Sequence, residues 1–387
     1  MDDIPSAPDY EPTESVPIVT TQMRELLNIV DEGCIHDVGL CLQDRATKSP
    51  DMICMKNLVA DEKGAITLPH SAPRQLHRAV ILHTVAMQTR LLGNDYRHLK
   101  LDIYHNNGPG TYVATIAVAD RAGKRLTDTE LQKLIPLIER CLVVNAAVRA
   151  PSGSRYPQTK EAQELATFAV NIDNIYGKAG YPSTIFIDRI RTIKKVEALV
   201  ASLNQPQQTA ADDMPVASPP CFAGCSPKSI KKRGRYHKPK PGTWVSERAN
   251  HAWWLVLICM CHMGLEPDVI VVLYIRTWKE GQLPSSETMG TMMTESWVEA
   301  RGYNIWNPRS TKDLSNSNWG PDMEGDMVWR PYLIDQMEES KRIMQQLDQF
   351  AEKVQLYSRE GARILDEVEI NKKIIDEGIE KLRRRVA

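Results

Sequence analysis

Apolar side chains recur every three or four residues through most of the chain, and this spacing predicts a mainly α-helical protein. In the first half, the predicted helices begin at Thr20, cover residues 72–92, run from about Thr127 to Val148, and divide residues 158–203 into two. Thr127 and Glu130 form a capping box for the third of these. In the second half, helices are predicted over residues 246–263, from Pro267 to about Trp278, and around residues 289–301.

Residues 332–385 carry the longest amphipathic pattern. Apolar residues alternate steps of four and three there, at Ile343, Leu347, Phe350, Val354 and Tyr357. The same register continues through Ile364, Val368, Ile375 and Leu382, and it also meets Gly361, Asn371 and Gly378, which weaken the seam. An amphipathic helix of this kind is marginal alone in water. We therefore expect one long or broken helix that packs on the body, on another copy or on a partner.

One segment shows the period of a β-strand instead. Leu99, Leu101 and Ile103 alternate with polar residues, a glycine-rich connection follows, and a second β-like stretch covers residues 111–118. This arrangement predicts a β-hairpin within residues 98–118. The expected fold is mainly α, with two helical lobes, one β-hairpin and extended terminal arms.

Composition divides the chain into five parts. The N-terminus is acidic and rich in proline, which is typical of a disordered arm. All eight tryptophans lie at or after Trp244, which favours two separately built lobes. The predicted parts are the arm 1–19, the N-terminal lobe 20–203 with the hairpin, the linker and basic loop 204–245, the C-terminal lobe 246–331 and the C-terminal helix or arm 332–387.

Overall composition limits the class of protein. The chain has 387 residues, 42% hydrophobic and 25% charged, which is enough for two or three globular domains with ordinary cores. Its eight cysteines are scattered without disulfide-like regularity, and we interpret them as reduced intracellular thiols. A secretory signal is not apparent, and apolar runs stop short of the roughly 18 residues that a membrane span needs.

The net charge is only −1, but cations are concentrated in one stretch that contains no acid. These cations are Lys228, Lys231, Lys232, Arg233, Arg235, Lys238 and Lys240. Tyr236 and His237 lie inside this basic run, and Trp244 follows it. Cations neutralise phosphates and planar rings stack on bases, so the basic run is a candidate for nucleic-acid binding. A nuclear-import signal and a solvated loop are the alternatives.

Two further groups of cations precede the basic run. Arg155 and Tyr156 lie in a predicted loop. The predicted helix that ends near residue 203 carries Arg189, Arg191, Lys194 and Lys195. Arg189 falls on the apolar stripe of this helix, so its head must extend to solvent or meet an anionic partner. Together with the basic run, these cations predict the lining of a groove.

Histidines and cysteines give little sign of a metal site or of catalysis. Cys34, His36, Cys41 and Cys54 fit no common zinc spacing, and we interpret them as buried thiols beside an ordinary histidine. Cys221, Cys225 and His237 leave a partial zinc site open. His83 is expected to be a hydrogen-bonded core histidine, whereas His77 and Arg78 are expected in solvent.

The sequence shows no common signature of catalysis. The chain contains no HExxH, GxSxG, Rossmann or Walker motif and no paired CxxC set. We therefore expect a protein that is not an enzyme and that uses no metal or cofactor.

The stretch from Tyr156 to Leu203 resembles part of the nucleoproteins of rhabdoviruses and related negative-strand RNA viruses. An aromatic-bearing helix is followed by a glycine-proline break and then by a helix with basic residues. The residues that carry the resemblance are Tyr156, Lys160, Phe168, Tyr176, Gly180, Pro182, Arg189 and Arg191. The resemblance implies a two-lobed helical protein with RNA in a basic groove between the lobes, and with Arg189 and Arg191 as phosphate contacts. The C-terminal motifs of the family are not found in the second half.

These expectations converge on a viral nucleoprotein that coats single-stranded RNA without sequence preference and assembles into rings or filaments. It would occupy the virion and the host cytoplasm, and the resemblance adds a viral polymerase or phosphoprotein as a partner. The alternative is a matrix or capsid protein that binds anionic membrane through the basic run. In that case the segment from Pro5 to Pro8, which resembles a short viral budding peptide, recruits a host partner.

Overall fold

The structure is a computed structural model. It describes residues 19–48, 55–91, 109–121, 123–149, 159–176, 193–204, 220–227, 236–237, 250–279, 281–297, 302–304 and 331–386. Met1–Ile334 forms one compact unit and Asp335–Ala387 forms a second. The predicted arm up to residue 18 and the predicted strand at residues 98–104 lie outside the described residues.

The described part of the chain is mainly helical and contains a small antiparallel sheet. The helices of the first half are α1 Thr21–Glu32, α2 Ile35–Lys48, α3 Met55–Ala60, α4 Glu62–Thr67, a 3-10 turn Leu68–Ser71, α5 Arg74–Ile81, α6 Val85–Leu91, α7 Asp128–Arg149, α8 Lys160–Tyr176 and α9 Ile193–Leu203. The strands are β1 Gly110–Val118, β2 Cys221–Ser226 and β3 Pro267–Arg276. The remaining helices are α10 His251–His262, α11 Gln282–Met293 and α12 Pro331–Val386.

Several helices begin where the sequence predicts. The Thr20 side chain accepts a hydrogen bond from the Met23 amide and caps α1. The capping box before α7 is confirmed, because the Thr127 amide donates to Glu130 at 2.9 Å and the Glu130 amide donates to Thr127 at 3.2 Å. The pair of helices predicted over residues 158–203 corresponds to α8 and α9, although residues 177–192 lie outside the described part.

The single helix predicted over residues 72–92 is instead two helices, α5 and α6. The chain turns between them at His83, whose φ of 57° lies in the left-handed region. A histidine occupies that region at some cost, which its contacts must offset. Its Nε2 donates to the Thr294 carbonyl at 2.6 Å, and its carbonyl accepts from Arg125 at 3.0 Å. Contacts distant in sequence therefore hold the turn.

The sheet has the order β2-β1-β3, and both pairs are antiparallel. From Gly110 to Thr115, β1 is paired on one edge with β2 and on the other with β3. A preceding strand cannot add beside β1 there, so the predicted hairpin within 98–118 is wrong in its pairing. The β2 strand also replaces part of the predicted linker. Its partner strand was not apparent from the sequence because the two are over 100 residues apart.

The helix predicted from Pro267 to Trp278 is wrong, since this segment is strand β3. Residues 269–275 are a nearly continuous run of β-branched, leucine and tyrosine side chains. Such a run is equally compatible with a buried helix and with a strand that is covered on both faces. The β-branched side chains favour the strand, because they pack well on a pleated surface.

Alternation along β1 sends its side chains to two different layers. Tyr112, Ala114, Ile116 and Val118 belong to the main core, which also contains apolar side chains from α7, α8, α9 and α10. Thr111 lies on the other face, where its hydroxyl is 2.7 Å from that of Ser286 in α11. The sheet therefore lies between α11 and the main core, and its core face leads to the candidate site.

The second unit consists of most of α12, and the C-terminal helix that was predicted as long or broken is one unbroken element. Large apolar side chains on it are exposed, among them Leu347, Phe350, Val354, Tyr357, Ile364, Val368 and Ile375. Charged residues occupy the intervening positions, and Arg363 bridges Glu360 at 2.9 Å and Glu367 at 3.0 Å.

Candidate nucleic-acid interface

Most of the predicted RNA-binding residues fall outside the described part of the chain. These are Arg155, Tyr156, Arg189, Arg191, Lys228, Lys231, Lys232, Arg233, Arg235 and Lys238. Lys194 and Lys195 are described in the first turn of α9, where Lys194 is exposed and Lys195 is half-buried. The structure also describes Tyr236 and His237, at the centre of the basic run.

His237 is buried, with 8% of its surface exposed. Its Nε2 lies 2.6 Å from the Tyr112 hydroxyl. Its ring lies 4.8 Å from the Phe222 ring and 5.6 Å from the Trp253 ring, centroid to centroid. Trp253 also donates its indole N–H to the His237 carbonyl at 3.3 Å. Side chain and backbone of His237 are thus both held, and we call this residue with Tyr112, Phe222 and Trp253 the His237 anchor.

Three secondary-structure elements supply the His237 anchor. Tyr112 projects from the core face of β1, Phe222 from the neighbouring edge strand β2, and Trp253 from the first turn of α10. Gly224 of β2 makes room for the tyrosine, because a Cβ there would lie 2.6 Å from the Tyr112 hydroxyl oxygen. The anchor therefore depends on the pairing of β1 with β2 and on the packing of α10 against that face.

Tyr236, next to His237, points the other way and is 71% exposed. A free aromatic ring of this kind can stack on a nucleobase. The described centre of the basic run therefore has one ring fixed in the core and the adjacent ring in solvent. The cations of the basic run lie outside the described residues, so the RNA-binding, import and solvated-loop interpretations of the run stay predictions.

The partial zinc site at Cys221, Cys225 and His237 is not assembled. Cys221 and Cys225 are four residues apart on a strand, which separates them by roughly 13 Å. His237 Nε2 faces Tyr112, and the Cys225 thiol donates to Glu287 at 3.2 Å. Burial raises the pKa of the Cys221 thiol to about 11, so this group stays protonated.

At the start of α2, three side chains of the kinds that bind metal ions lie close together. The ligand atoms of Cys34, His36 and Asp37 lie within 4.8 Å of one another at the start of α2. Cys41 is not a member, and Cys54 lies outside the described residues. Cys34 is buried, as the sequence predicts, and His36 is buried beside it. Three ligands are one fewer than a structural zinc site uses.

For His77, in α5, the predicted environment is wrong, whereas for His83, in the turn that follows, it is confirmed. His83 is a buried, hydrogen-bonded core histidine, as predicted. The prediction that His77 is solvated is wrong, because this residue is fully buried. Its Nε2 donates to the Pro69 carbonyl at 2.8 Å, and its Nδ1 accepts from the Tyr274 hydroxyl at 2.7 Å. Burial lowers the pKa of His77 to about 4. Arg78 is half-exposed and pairs with Asp31.

Sequence reasoning missed the residues that hold His237. Tyr112 occupies one face of a strand that was predicted, and Phe222 and Gly224 alternate on β2 in the same way. Tyr112 and Phe222 meet because β1 pairs with β2. This pairing cannot be predicted before the order of the strands in the sheet is known. The aromatic character of residues 236–253 was visible, but not which ring would be buried.

Comparisons with protein-family models, with curated proteins and with solved structures found no match. Among the described helices, none is both long enough and apolar enough to cross a lipid bilayer. The functional interpretation therefore depends on the residues of this chain.

Proposed function

We propose that this protein is a viral nucleoprotein that coats single-stranded RNA without sequence preference and self-associates into a nucleocapsid. The observation that carries the proposal is the opposite placement of two adjacent rings in the basic run, His237 in the core and Tyr236 in solvent. The cations on either side attract phosphates, and Tyr236 stacks on a base.

The His237 anchor favours binding for an entropic reason. A free loop with seven cations would lose conformational freedom when it meets RNA, and that loss opposes binding. Fixing His237 at the core face of the sheet removes part of this loss before RNA arrives. The exposed Lys194 adds a cation on a separate, rigid helix.

Self-association is assigned to a second copy of α12. Exposed apolar side chains recur at the 3.5-residue spacing of a coiled-coil seam from Leu347 to Ile375. In a parallel pair this register sets Glu367 of one copy beside Lys372 of the other, an opposite-charge pairing across the seam. A binding protein whose copies associate gains cooperativity along the RNA.

The first experiment measures binding to single-stranded RNA homopolymers at several salt concentrations. The charge variant combines Lys231→Gln, Lys232→Gln and Arg233→Gln. Its control removes three exposed cations elsewhere, with Lys56→Gln, Lys63→Gln and Lys133→Gln. Each phosphate contact contributes about 0.7 to the slope of log K against log salt for single strands, so the charge variant should lose about 2 units of slope. An equal loss in the control would contradict the proposal.

The second experiment tests the His237 anchor itself. Tyr112→Phe removes the hydroxyl that faces His237 and keeps the ring. Tyr274→Phe is the matched control, because it removes the same kind of buried hydroxyl from His77. We expect weaker RNA binding with Tyr112→Phe only, and equal RNA binding by the two variants would refute a role for the anchor.

Flotation with vesicles separates this proposal from the matrix-type alternative. The nucleoprotein should bind RNA at physiological salt and should float weakly with vesicles that contain phosphatidylserine. Strong flotation that the charge variant abolishes, together with RNA binding that it leaves intact, would assign the basic run to a membrane surface.

A further inference from the structure

The turn from α1 into α2 contains a group of side chains that the proposed function does not use. Cys34 directly precedes α2, and His36 and Asp37 lie in its first turn. Among the residues that the structure describes, this is the one group of three metal-ligand side chains whose ligand atoms all lie within 4.8 Å of one another. We call these three residues the Cys34 cluster.

The separation of the ligand atoms fits a shared tetrahedral ion better than a direct hydrogen bond. His36 Nδ1 lies 3.4 Å from Asp37 Oδ1, whereas the heavy atoms of a good N–H···O bond are about 2.7–3.2 Å apart. Nitrogen and oxygen ligands lie about 2.1 Å from zinc, which at the tetrahedral angle places them about 3.4 Å apart. A thiolate ligand belongs about 3.6 Å from each of them, so the Cys34 sulfur has to approach by no more than about 1.2 Å.

The backbone holds the cluster in place. The Asp37 amide donates to the Cys34 carbonyl at 3.0 Å, which ties two of the three residues together. Arg74 Nη1 donates to the Val30 and Gly33 carbonyls at 2.6 and 3.0 Å, and this fixes the residue before Cys34. A site whose backbone is already fixed loses little conformational freedom when it binds a ligand.

We propose that the Cys34 cluster binds a zinc ion, with Cys34, His36 and Asp37 as ligands and a water molecule in the fourth position. Zinc accepts sulfur, nitrogen and oxygen ligands together, whereas magnesium and calcium take oxygen ligands. Three protein ligands with water in the fourth position are the arrangement of open zinc sites. Cys34 and His36 are buried and the Asp37 side chain is 38% exposed, so water reaches the ion from the Asp37 side.

Charge also favours a divalent ion at this position. A thiolate and a carboxylate supply two negative charges, which balance those of zinc. The guanidinium of Arg74 lies beside the same turn and opposes a cation, so the affinity depends on both anionic ligands. Loss of either one should therefore weaken binding strongly.

The first experiment treats the full-length protein, without a histidine tag, with EDTA and titrates it with Co²⁺ and then with Zn²⁺ under a phosphine reductant. We expect one Co²⁺ to bind with the visible bands of tetrahedral cobalt and the charge-transfer band of a single thiolate, and one equivalent of Zn²⁺ to displace it. Absence of this spectrum, or uptake of several ions without saturation, would overturn the proposal. This result needs no variant and is independent of RNA binding.

Variants then locate the ion. Loss of a group that only supports a zinc ligand costs about 10–100-fold in affinity, so Cys34→Ser should weaken Zn²⁺ binding at least about 100-fold and remove the thiolate band. Cys41→Ser is its control, because Cys41 lies on α2 outside the cluster.

Asp37→Asn provides a test that does not alter a buried residue. It should weaken Zn²⁺ binding at least about 10-fold and keep the thiolate band. Asp44→Asn is the matched control, because Asp44 is also an exposed acid of α2, and it should bind Zn²⁺ like the wild type. Equal Zn²⁺ affinities of the two aspartate variants, or of the two cysteine variants, would refute the assignment of the ion to the Cys34 cluster.

Discussion

Helices α10 and α12 are both rich in large apolar side chains, yet they differ in exposure. In α10, every residue from His251 to Met260 is buried, and apolar groups point in all directions. In α12, the apolar groups from Leu347 to Ile375 lie mainly on one stripe with charges between them, a few such as Leu356 and Leu365 lie beside it, and all of these side chains are exposed. An all-round apolar helix needs a covered site on every side, whereas a single stripe needs one partner. We therefore expect α10 to serve folding and the proposed role of α12 to be assembly, and this difference can be tested.

The largest expected effect is a loss of folding in the first unit. Trp253→Ala removes a fully buried ring and the donor to the His237 carbonyl. We expect it to lower the free energy of unfolding by about 3–5 kcal/mol, as for other large-to-small core changes. Urea unfolding followed by tryptophan fluorescence measures this, since all eight tryptophans precede α12. A change below the size of a surface substitution would show that α10 is not a core helix.

Breaking the seam of α12 should instead change assembly and leave folding intact. Val354→Asp places a charge in the apolar stripe, and Gln355→Asp places the same charge next to it, off the stripe. We expect self-association to weaken about 100-fold or more with the first, equivalent to about 3 kcal/mol, and to change little with the second. Analytical ultracentrifugation measures both. A wild-type protein that stays monomeric at all concentrations would end the assignment of α12 to a second copy.

Acid should lower the stability of the first unit more than that of the second, because only the first contains histidines. Burial lowers the pKa of His70 and of His77 to about 4, below the about 6.5 of an unfolded chain. Between these values the unfolded chain binds more protons, so the stability is complete above pH 6.5 and is lost as the pH falls toward 4. From pH 7 to pH 5.5 we expect a loss of about 1 kcal/mol for each histidine.

Fluorescence-detected unfolding at each pH measures that loss, and far-ultraviolet circular dichroism follows the helices, including α12. His77→Gln should remove about half of the pH dependence, whereas the same substitution at the exposed His262 should keep it. A pH-independent wild type would contradict the burial of these histidines.

The smallest effect concerns Gly361, which falls on the stripe of α12. A Cβ at this position would meet open space, so Gly361→Ala should stabilise the helix by about 0.5–1 kcal/mol through backbone entropy alone. It should also tighten self-association slightly by adding a methyl group to the seam. Ala362→Gly is the reverse change off the seam, and it should lower the melting temperature of α12 by a similar amount. If Gly361→Ala destabilised the helix and Ala362→Gly stabilised it, the helix would have to bend at Gly361.

Local signals explain which parts of the fold could be predicted. The start of α1 at Thr20, the capping box at Thr127 and the long amphipathic pattern of α12 depend on residues a few positions apart, so they are readable in the sequence. The failures involve partners far away in the chain. The β3 strand was predicted as a helix, and the partners of β1 come from segments more than 100 residues downstream.

The candidate site divides in the same way. The sequence by itself determined the density of cations around residues 228–240, the amphipathic stripe of α12 and the aromatic character of the basic run, because each is a property of neighbouring residues. Only the tertiary structure decided that His237 is buried while Tyr236 is exposed, that Cys221 and Cys225 are separated along a strand, and that Arg125 is buried with its guanidinium at the His83 carbonyl. Burial and side-chain partners depend on which distant segments pack together, and the periodicity of a single segment does not contain that information.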